Sequence, residues 1–372
     1  MTGALDGIVI ADFSRILAGP YCTMLLADLG AEVIKVERPG TGDDTRHWGP
    51  PFDDRGRATY FESVNRNKTS VALDLATRDG RASARSLALR SDVVIENFAP
   101  GTMARYGLGY DELRSLRPQL VYCSISGFGA GSGAGMPGYD PVVQAVGGLM
   151  SITGPDAAHP SKAGVALVDI IAGLHAGMGI LAALRHRDIT GQGQIVEVNL
   201  LQSLLSALAN QAQAHVGAGV VPHMRGNEHP SIAPFETFAT ADRQIMICAG
   251  NDRQFAALCT VIGDPELASD ERFQTNAARV SHRPELVTSL EQILASRPAA
   301  TWLAELTQAG VPAGPVNTIA EAFDLAADLG LDPVVELVDS LGDVRPQVAH
   351  PVRYSRTPAR YDTPPPDLPS DL

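Results

Sequence analysis

The chain has 372 residues, of which 45% are hydrophobic and 19% charged, a globular composition unlike that of a disordered chain. Its formal net charge of −13 opposes any partner with a phosphate backbone, and 5% aromatic residues are too few for a base- or sugar-stacking surface. At roughly 150 residues per domain, the length allows two or three domains.

The first half alternates strand-like and helix-like segments. Residues 7–12 (GIVIAD) form a short apolar run, 20–29 have helical spacing up to Gly30, and 31–36 are strand-like. A strand at 70–75, a helix near 78–89 and a strand at 92–97 follow. Short helices near 102–106 and 111–116 lead to a strand at 120–124. Strands separated by helices predict a mostly parallel sheet covered on both faces, a doubly wound, Rossmann-like α/β domain. Residues 126–141 are rich in glycine and proline and read as loop. A long apolar helix is expected over 169–185, a strand at 194–199 and a second long helix over 200–216. Gly173, Gly177 and Gly179 lower the helix propensity of the first of these, which makes sense if another helix or a ligand packs closely there.

After residue 217 the texture changes. Residues 223–234 are polar and turn-rich, 237–249 look like a hairpin, and helices are expected near 252–262, 283–295 and 300–309. The expected division is a large domain over 1–219, a smaller α+β domain over 220–335, and a segment over 336–372 that returns to the large domain. From Pro346 on, the tail reads as extended and non-globular.

Cys22, Cys123, Cys248 and Cys259 are far apart, without a C-x-x-C pair, and read as buried free thiols of a reducing compartment. The first residues lack a signal-peptide pattern, and no run of about 18 apolar residues is apparent. A soluble cytoplasmic protein without membrane or nucleic-acid partners is expected. The glycines of 126–135 do not fit G-x-G-x-x-G and lead into Met136-Pro137-Gly138 rather than a helix, which argues against a nicotinamide cofactor. There is no Walker A sequence, no G-x-S-x-G elbow and no H-E-x-x-H, so no metal is expected.

Asp169 stands directly before the long apolar helix. Its plain reading is a helix N-cap, but a carboxylate kept ionised beside glycines that admit a ligand also suits a nucleophile. Arg38, Lys68 and Arg105 sit near the ends of elements, where an open α/β sheet binds ligands and cations grip phosphates. Each taken singly is more often a solvated surface charge.

In order along the chain, these segments resemble the family III CoA-transferases. The resemblance begins with DFSRILAGPYCTMLLADLGAEVIKVERPGTGDDTR (12–46). It continues through NRNKTSVALDL (65–75), DVVIENFAPGTMARYGLGY (92–110), SISGFG (124–129) and GYDPVVQAVGGLMSITG (138–154). It closes with VALVDIIAGLHAGMGILAAL (165–184), GQGQIVEVNLL (191–201), RGNEHPSIAPFETFAT (225–240), AGNDRQF (249–255) and AGVPAGPVN (309–317). The resemblance implies an interlocked homodimer and an enzyme that moves CoA from an acyl-CoA to a free carboxylic acid. It makes Asp169 the nucleophile, passing through an aspartyl anhydride and an aspartyl-CoA thioester. It places CoA against Arg38, Leu73, Asn97, Phe98 and Arg105, with Lys68 assisting. It places the substrate pocket at Leu17, Ala18, Tyr139, Asn227 and His229, with oxyanion donors on the backbone near Leu17 and Ala18 or in the 227–234 loop. CoA enters as substrate, and no permanently bound cofactor is implied. Leu17 stands where formyl-transferring members carry glutamine, and Tyr139 where the family's racemases carry histidine. The 227–234 and NDRQF segments look more like the succinyl-CoA-using members. The alternatives are an acyl-CoA racemase or isomerase of the same superfamily, and a CoA-binding protein without catalysis.

Overall fold

Valine- and isoleucine-rich runs that are apolar on both sides must be covered on both sides once they pair. The computed structural model describes residues 3–369 and shows how the chain meets that demand. In order, its elements begin β1 (Val9–Asp12), α1 (Ala18–Asp28), β2 (Glu32–Glu37), α2 (Thr59–Glu62), β3 (Lys68–Ala72), α3 (Arg78–Arg90) and β4 (Val93–Glu96). Then come α4 (Thr102–Arg105), α5 (Tyr110–Leu116), β5 (Val121–Ser126), α6 (Asp140–Val146), α7 (Leu167–Thr190), β6 (Ile195–Asn199), α8 (Leu200–Ala207) and α9 (Ala209–Ala218).

The six strands form one parallel sheet in the order β3-β2-β1-β4-β5-β6. This is the doubly wound order, and its direction reverses between β1 and β4, which leaves a crevice at the carboxyl ends of those strands. Successive β1 residues serve opposite faces: Ile10 packs with Cys22, Val93, Ala176 and Ile180, whereas Ala11 packs with Ile34, Leu87, Val94 and Leu113.

Helices α1 and α7 lie on one face, and two glycines let α7 approach closely. A Cβ on Gly173 would meet the Ala18 carbonyl oxygen at 2.6 Å, and one on Gly179 would meet Val196 at 2.6 Å. The helix-weakening residues are thus contact points with α1 and with the sheet. By length and composition α7 is apolar enough to cross a membrane, which corrects the sequence reading that no such stretch exists. In the fold its Val168, Ala172, Ala176, Ile180 and Ala183 are buried in the domain core, while Leu174, Met178 and Leu181 are exposed. The single helix expected over 200–216 is two helices. The chain breaks at Ala209, whose φ of 44° cannot continue a right-handed helix.

Two compact units result: residues up to 149 with 162–221 and everything from 332 on, and residues 150–161 with 222–331. In the first unit the tail is more ordered than its composition implies. β10 (Val334–Val338) and β11 (Val344–Val348) pair as an antiparallel hairpin. Arg66 donates to Asp28 at 2.6 Å and to the Val348 carbonyl at 2.9 Å, and Arg345 pairs with Glu62, so the tail is tied to early residues. The second unit holds the antiparallel sheet β7 (Phe235–Ala239), β8 (Gln244–Cys248) and β9 (Ala313–Pro315). Helices α10 (Asp252–Val261), α11 (Asn276–Ser281), α12 (Arg283–Leu294), α13 (Ala299–Gln308) and α14 (Ile319–Asp328) accompany it, and Phe238, Ile245, Phe255, Leu286 and Trp302 are in its core.

Candidate active site

The turn that leaves β1 is built on buried charge. The Asp12 carboxylate accepts the Ser14 backbone N–H at 2.9 Å, the Thr23 hydroxyl at 2.6 Å and the Lys68 ammonium at 3.3 Å. Lys35, from β2, donates to the Ser14 carbonyl at 3.0 Å and to Asp43 at 2.8 Å, and neither side chain of that pair is exposed. Asp43 in turn accepts the Ile16 N–H at 3.3 Å. Burial, the largest single influence, would raise the Asp43 carboxyl, but the Lys35 charge together with hydrogen bonds from Lys35 and Thr45 outweighs it and holds the group at about 2. These bonds sustain a costly backbone: Ile16 has φ 71°, a region that β-branched residues avoid. Lys68, which the resemblance offered as a helper, is fully committed. It donates to Asp12, the Pro20 carbonyl and Asn65, and burial brings its ammonium down to about 8 against the pull of Asp12.

Asn97, just past β4, clamps the same turn. Its Oδ1 accepts the Arg15 N–H at 2.8 Å and its Nδ2 donates to the Arg15 carbonyl at 2.7 Å. The Arg15 guanidinium lies 5.1 Å from the centroid of the Phe98 ring. Helix α1 then starts at Ala18 with no side chain capping it. The first N–H groups of a helix have no partner within it, so α1 presents donors and the positive end of its dipole here.

The other wall is the start of α7. The helix opens at Leu167, and Asp169 is its third residue rather than its cap. The cap comes from Asp140 on α6: one carboxylate oxygen accepts the N–H groups of Val168 at 2.7 Å and Asp169 at 3.1 Å. Gln144 donates to the other Asp140 oxygen at 2.5 Å, and its own carbonyl accepts the Ala163 N–H at 2.8 Å. Relieved of capping, the Asp169 carboxylate has no hydrogen bond or ion pair among the described residues. Burial, reinforced by the Asp140 charge, pushes its pKa up to about 7. The Tyr60 phenol is raised to about 12 by burial and by the Asp169 and Asp140 carboxylates, which marks it as a near neighbour.

A cavity of about 310 Å³ joins the two walls. Among the predicted residues it is lined by Leu17, Ala18, Asn97, Phe98, Tyr139 and Asp169. Arg38, Leu73 and Arg105 stay outside its lining. Arg38 is exposed directly after β2, Leu73 follows β3 and donates its N–H to the Glu37 carbonyl at 2.9 Å, and Arg105 is exposed on α4 beside Thr102. Arg38 and Leu73 thus directly follow the carboxyl ends of β2 and β3, whereas Arg105 ends α4, the helix after β4. Asn227 and His229 belong to the second unit. There Asn227 donates to Thr237 at 2.9 Å, and the His229 ring lies 5.1 Å from that of Phe235. Among the described residues no cluster of three or more His, Cys, Asp or Glu side chains is placed to hold a metal.

Three residues escape a reading from sequence. Arg15 lines the cavity as a cation, Asp140 caps α7 from another element, and Tyr60 lies near the two carboxylates. The available signals were an arginine in the turn after the first strand and an acidic residue directly before Pro141, a helix-start pattern.

The molecule is thus a doubly wound α/β protein with an unpaired carboxylate in a cavity that also holds an uncapped helix N-terminus. The description "CoA-transferase family III" matches residues 5–371. The chain is 43% identical to the succinate–glutarate CoA-transferase of Agrobacterium fabrum (strain C58), over 98% of this chain and 92% of that one. It is 42% identical to the acetyl-CoA:oxalate CoA-transferase of Acetobacter aceti, over 87% and 83%. The crystal structure of a CAIB/BAIF family protein from Brucella suis superposes with a TM-score of 0.88 at 43% identity, covering 99% of this chain and 97% of that one. The chain belongs to CoA-transferase family III, and it is an enzyme that transfers CoA.

Proposed function

We propose that this enzyme moves CoA from a dicarboxylyl-CoA donor to a free dicarboxylic acid through covalent intermediates on Asp169. The observation that carries this reading is the Asp169 carboxylate itself, unpaired in the cavity because Asp140 supplies the cap. Ionised Asp169 attacks the thioester carbonyl, the C–S bond breaks, and a mixed anhydride and CoA thiolate result. The thiolate attacks the aspartyl carbonyl, releasing the donor acid and leaving an aspartyl-CoA thioester. The acceptor carboxylate attacks that thioester and expels the thiolate, which then takes the acceptor acyl group and frees Asp169. Every step exchanges one acyl bond for another, so no net proton is needed and the thioester's activation is kept. Each intermediate hydrolyses, so the cavity must exclude water.

The open N–H groups at the start of α1 suit the oxyanion that forms at each carbonyl. Arg38 and Arg105, outside the cavity, suit the CoA phosphates, and Leu73, Asn97 and Phe98 the rest of the carrier. In this reading Tyr139 belongs to the substrate pocket, and Asn227 and His229 are substrate-binding candidates on the second unit. A dicarboxylic substrate is supported by the succinate, glutarate and oxalate in the names of these relatives, the oxalate enzyme pairing its dicarboxylate with an acetyl donor. The exposed Leu174, Met178 and Leu181 of α7 and Val216 of α9 support an obligate, interlocked homodimer. Four free cysteines support a cytoplasmic location.

Intact-protein mass spectrometry after brief incubation with succinyl-CoA tests the mechanism. The wild type gains a CoA adduct that Asp169→Ala lacks, and the variant loses transfer by about 10³-fold or more. Near-normal turnover by Asp169→Ala overturns the mechanism.

A further inference from the structure

The cavity beside Asp169 has a charge problem. Asp169 and Asp140 stand within electrostatic reach of each other, and a dicarboxylic substrate brings two more negative charges. Lys35 and Lys68 cannot offset them at the ligand, because both are buried and bound to Asp43 and Asp12. Among the residues lining the cavity, Arg15 is the only cationic side chain.

Arg15 is also incompletely satisfied. Its Nε is the one buried side-chain nitrogen or oxygen without a hydrogen-bond partner among the described residues. Its Nη1 reaches only Asp44, at 3.3 Å, and 46% of the Asp44 side chain is exposed to solvent. A buried donor left without a partner is costly, and a bound acceptor removes that cost. The group is meanwhile fixed in place. Asn97 clamps its backbone from both sides, Ile16 turns the chain sharply after it, and Phe98 lies under the guanidinium. A pre-positioned planar fork is the form in which arginine binds carboxylates.

We propose that Arg15 is the specificity-determining residue that binds the second carboxylate of a dicarboxylic substrate, the one remote from the reacting carbonyl. The inference rests on the dicarboxylate reading above and assigns it to a side chain. A phosphate of CoA offers the same anionic chemistry, so the test separates the two.

Calorimetric titration with glutarate and with pentanoate, acids of equal chain length, reads the second carboxylate without any turnover. The wild type binds glutarate about 10–100-fold more tightly than pentanoate, the range expected for a charge-assisted hydrogen bond. Arg15→Gln abolishes that preference, and Arg15→Lys, which keeps the charge but not the fork, restores part of it. CoA affinity and the thermal midpoint stay at wild-type values in both variants. An undiminished glutarate preference in Arg15→Gln overturns the proposal. A loss of CoA affinity in place of glutarate affinity also overturns it, in favour of the phosphate. Because no covalent step is involved, a failure of the Asp169 mechanism leaves this readout intact.

Discussion

Two helices begin at the same cavity and treat their first N–H groups in opposite ways. Helix α1 has no capping side chain, so its donors stay open. Helix α7 has its second and third N–H groups closed by the Asp140 carboxylate, which arrives from a separate helix. A residue that caps its own helix spends its oxygens on the backbone. A cap supplied from outside leaves the carboxylate of the first turn free, and here that carboxylate is Asp169. In the mechanism proposed above, the pair of helix starts divides the labour of acyl transfer, with donors on one side and the nucleophile on the other.

That division holds only if the two starts keep their spacing, and Gly173 sets it. Its missing Cβ would lie 2.6 Å from the Ala18 carbonyl oxygen, a backbone atom that cannot swing away. Gly173→Ala therefore forces α1 and α7 apart beside the cavity. Displacements near 1 Å cost about 10²-fold when reacting groups are pre-positioned, and a fall of about that size in kcat/KM is expected, with CoA affinity little changed. Steady-state kinetics and CoA binding check it. Wild-type turnover in this variant would break the idea that the two starts act together.

The second test addresses the cap. Asp140→Asn keeps an oxygen for the Val168 and Asp169 N–H groups but removes the like charge beside Asp169. The Asp169 pKa of about 7 has burial as its larger cause and Asp140 as its second, so it falls without returning to the ordinary carboxylate range. Wild-type kcat/KM should rise as pH increases through about 7, where Asp169 ionises. In the variant this acid limb moves to lower pH, and at pH 6 the variant retains a larger share of its maximal rate than the wild type. An unmoved limb would mean that Asp140 acts on Asp169 through hydrogen bonding alone.

The contrast also explains what could be read from the sequence. The six-stranded sheet was legible because short β-branched runs alternate with helical segments, and each face must be covered. Asp169, Asn97, Phe98, Leu17, Ala18 and Tyr139 were named through resemblance, and the fold brings them to one cavity. What stayed hidden depends on contacts between distant residues. Asp140 meets the start of α7 from 28 residues away, and no local pattern says which helix it will cap. Arg15 looks like any turn arginine until Asn97 and Phe98 fix it. The β10–β11 hairpin was obscured by Pro346, which pairs with Glu336 in a two-stranded ribbon and so breaks no central ladder. The break at Ala209 has no glycine or proline to announce it.

The smallest effect expected is on stability, and it measures what keeping Asp169 uncapped costs the fold. Its carboxyl moves from 3.8 to about 7 on folding. Well below pH 3.8 the group is protonated in both states and carries no penalty. As pH rises from about 4 to 7 the unfolded chain ionises and the folded one resists, so the folded state loses stability, and above 7 the loss is complete. The displacement at face value corresponds to about 4 kcal/mol, and solvent that reaches the cavity reduces this to roughly 2 kcal/mol. Asp169→Asn removes the ionisation, so urea denaturation should show the variant more stable than the wild type by about that amount at pH 8, with the two nearly equal at about pH 3. An equal gain at both pH values would assign it to the amide's packing and hydrogen bonds. A gain confined to high pH would show that the fold gives up stability to hold an ionised, unpaired nucleophile, as expected where activity and stability compete for the same residue.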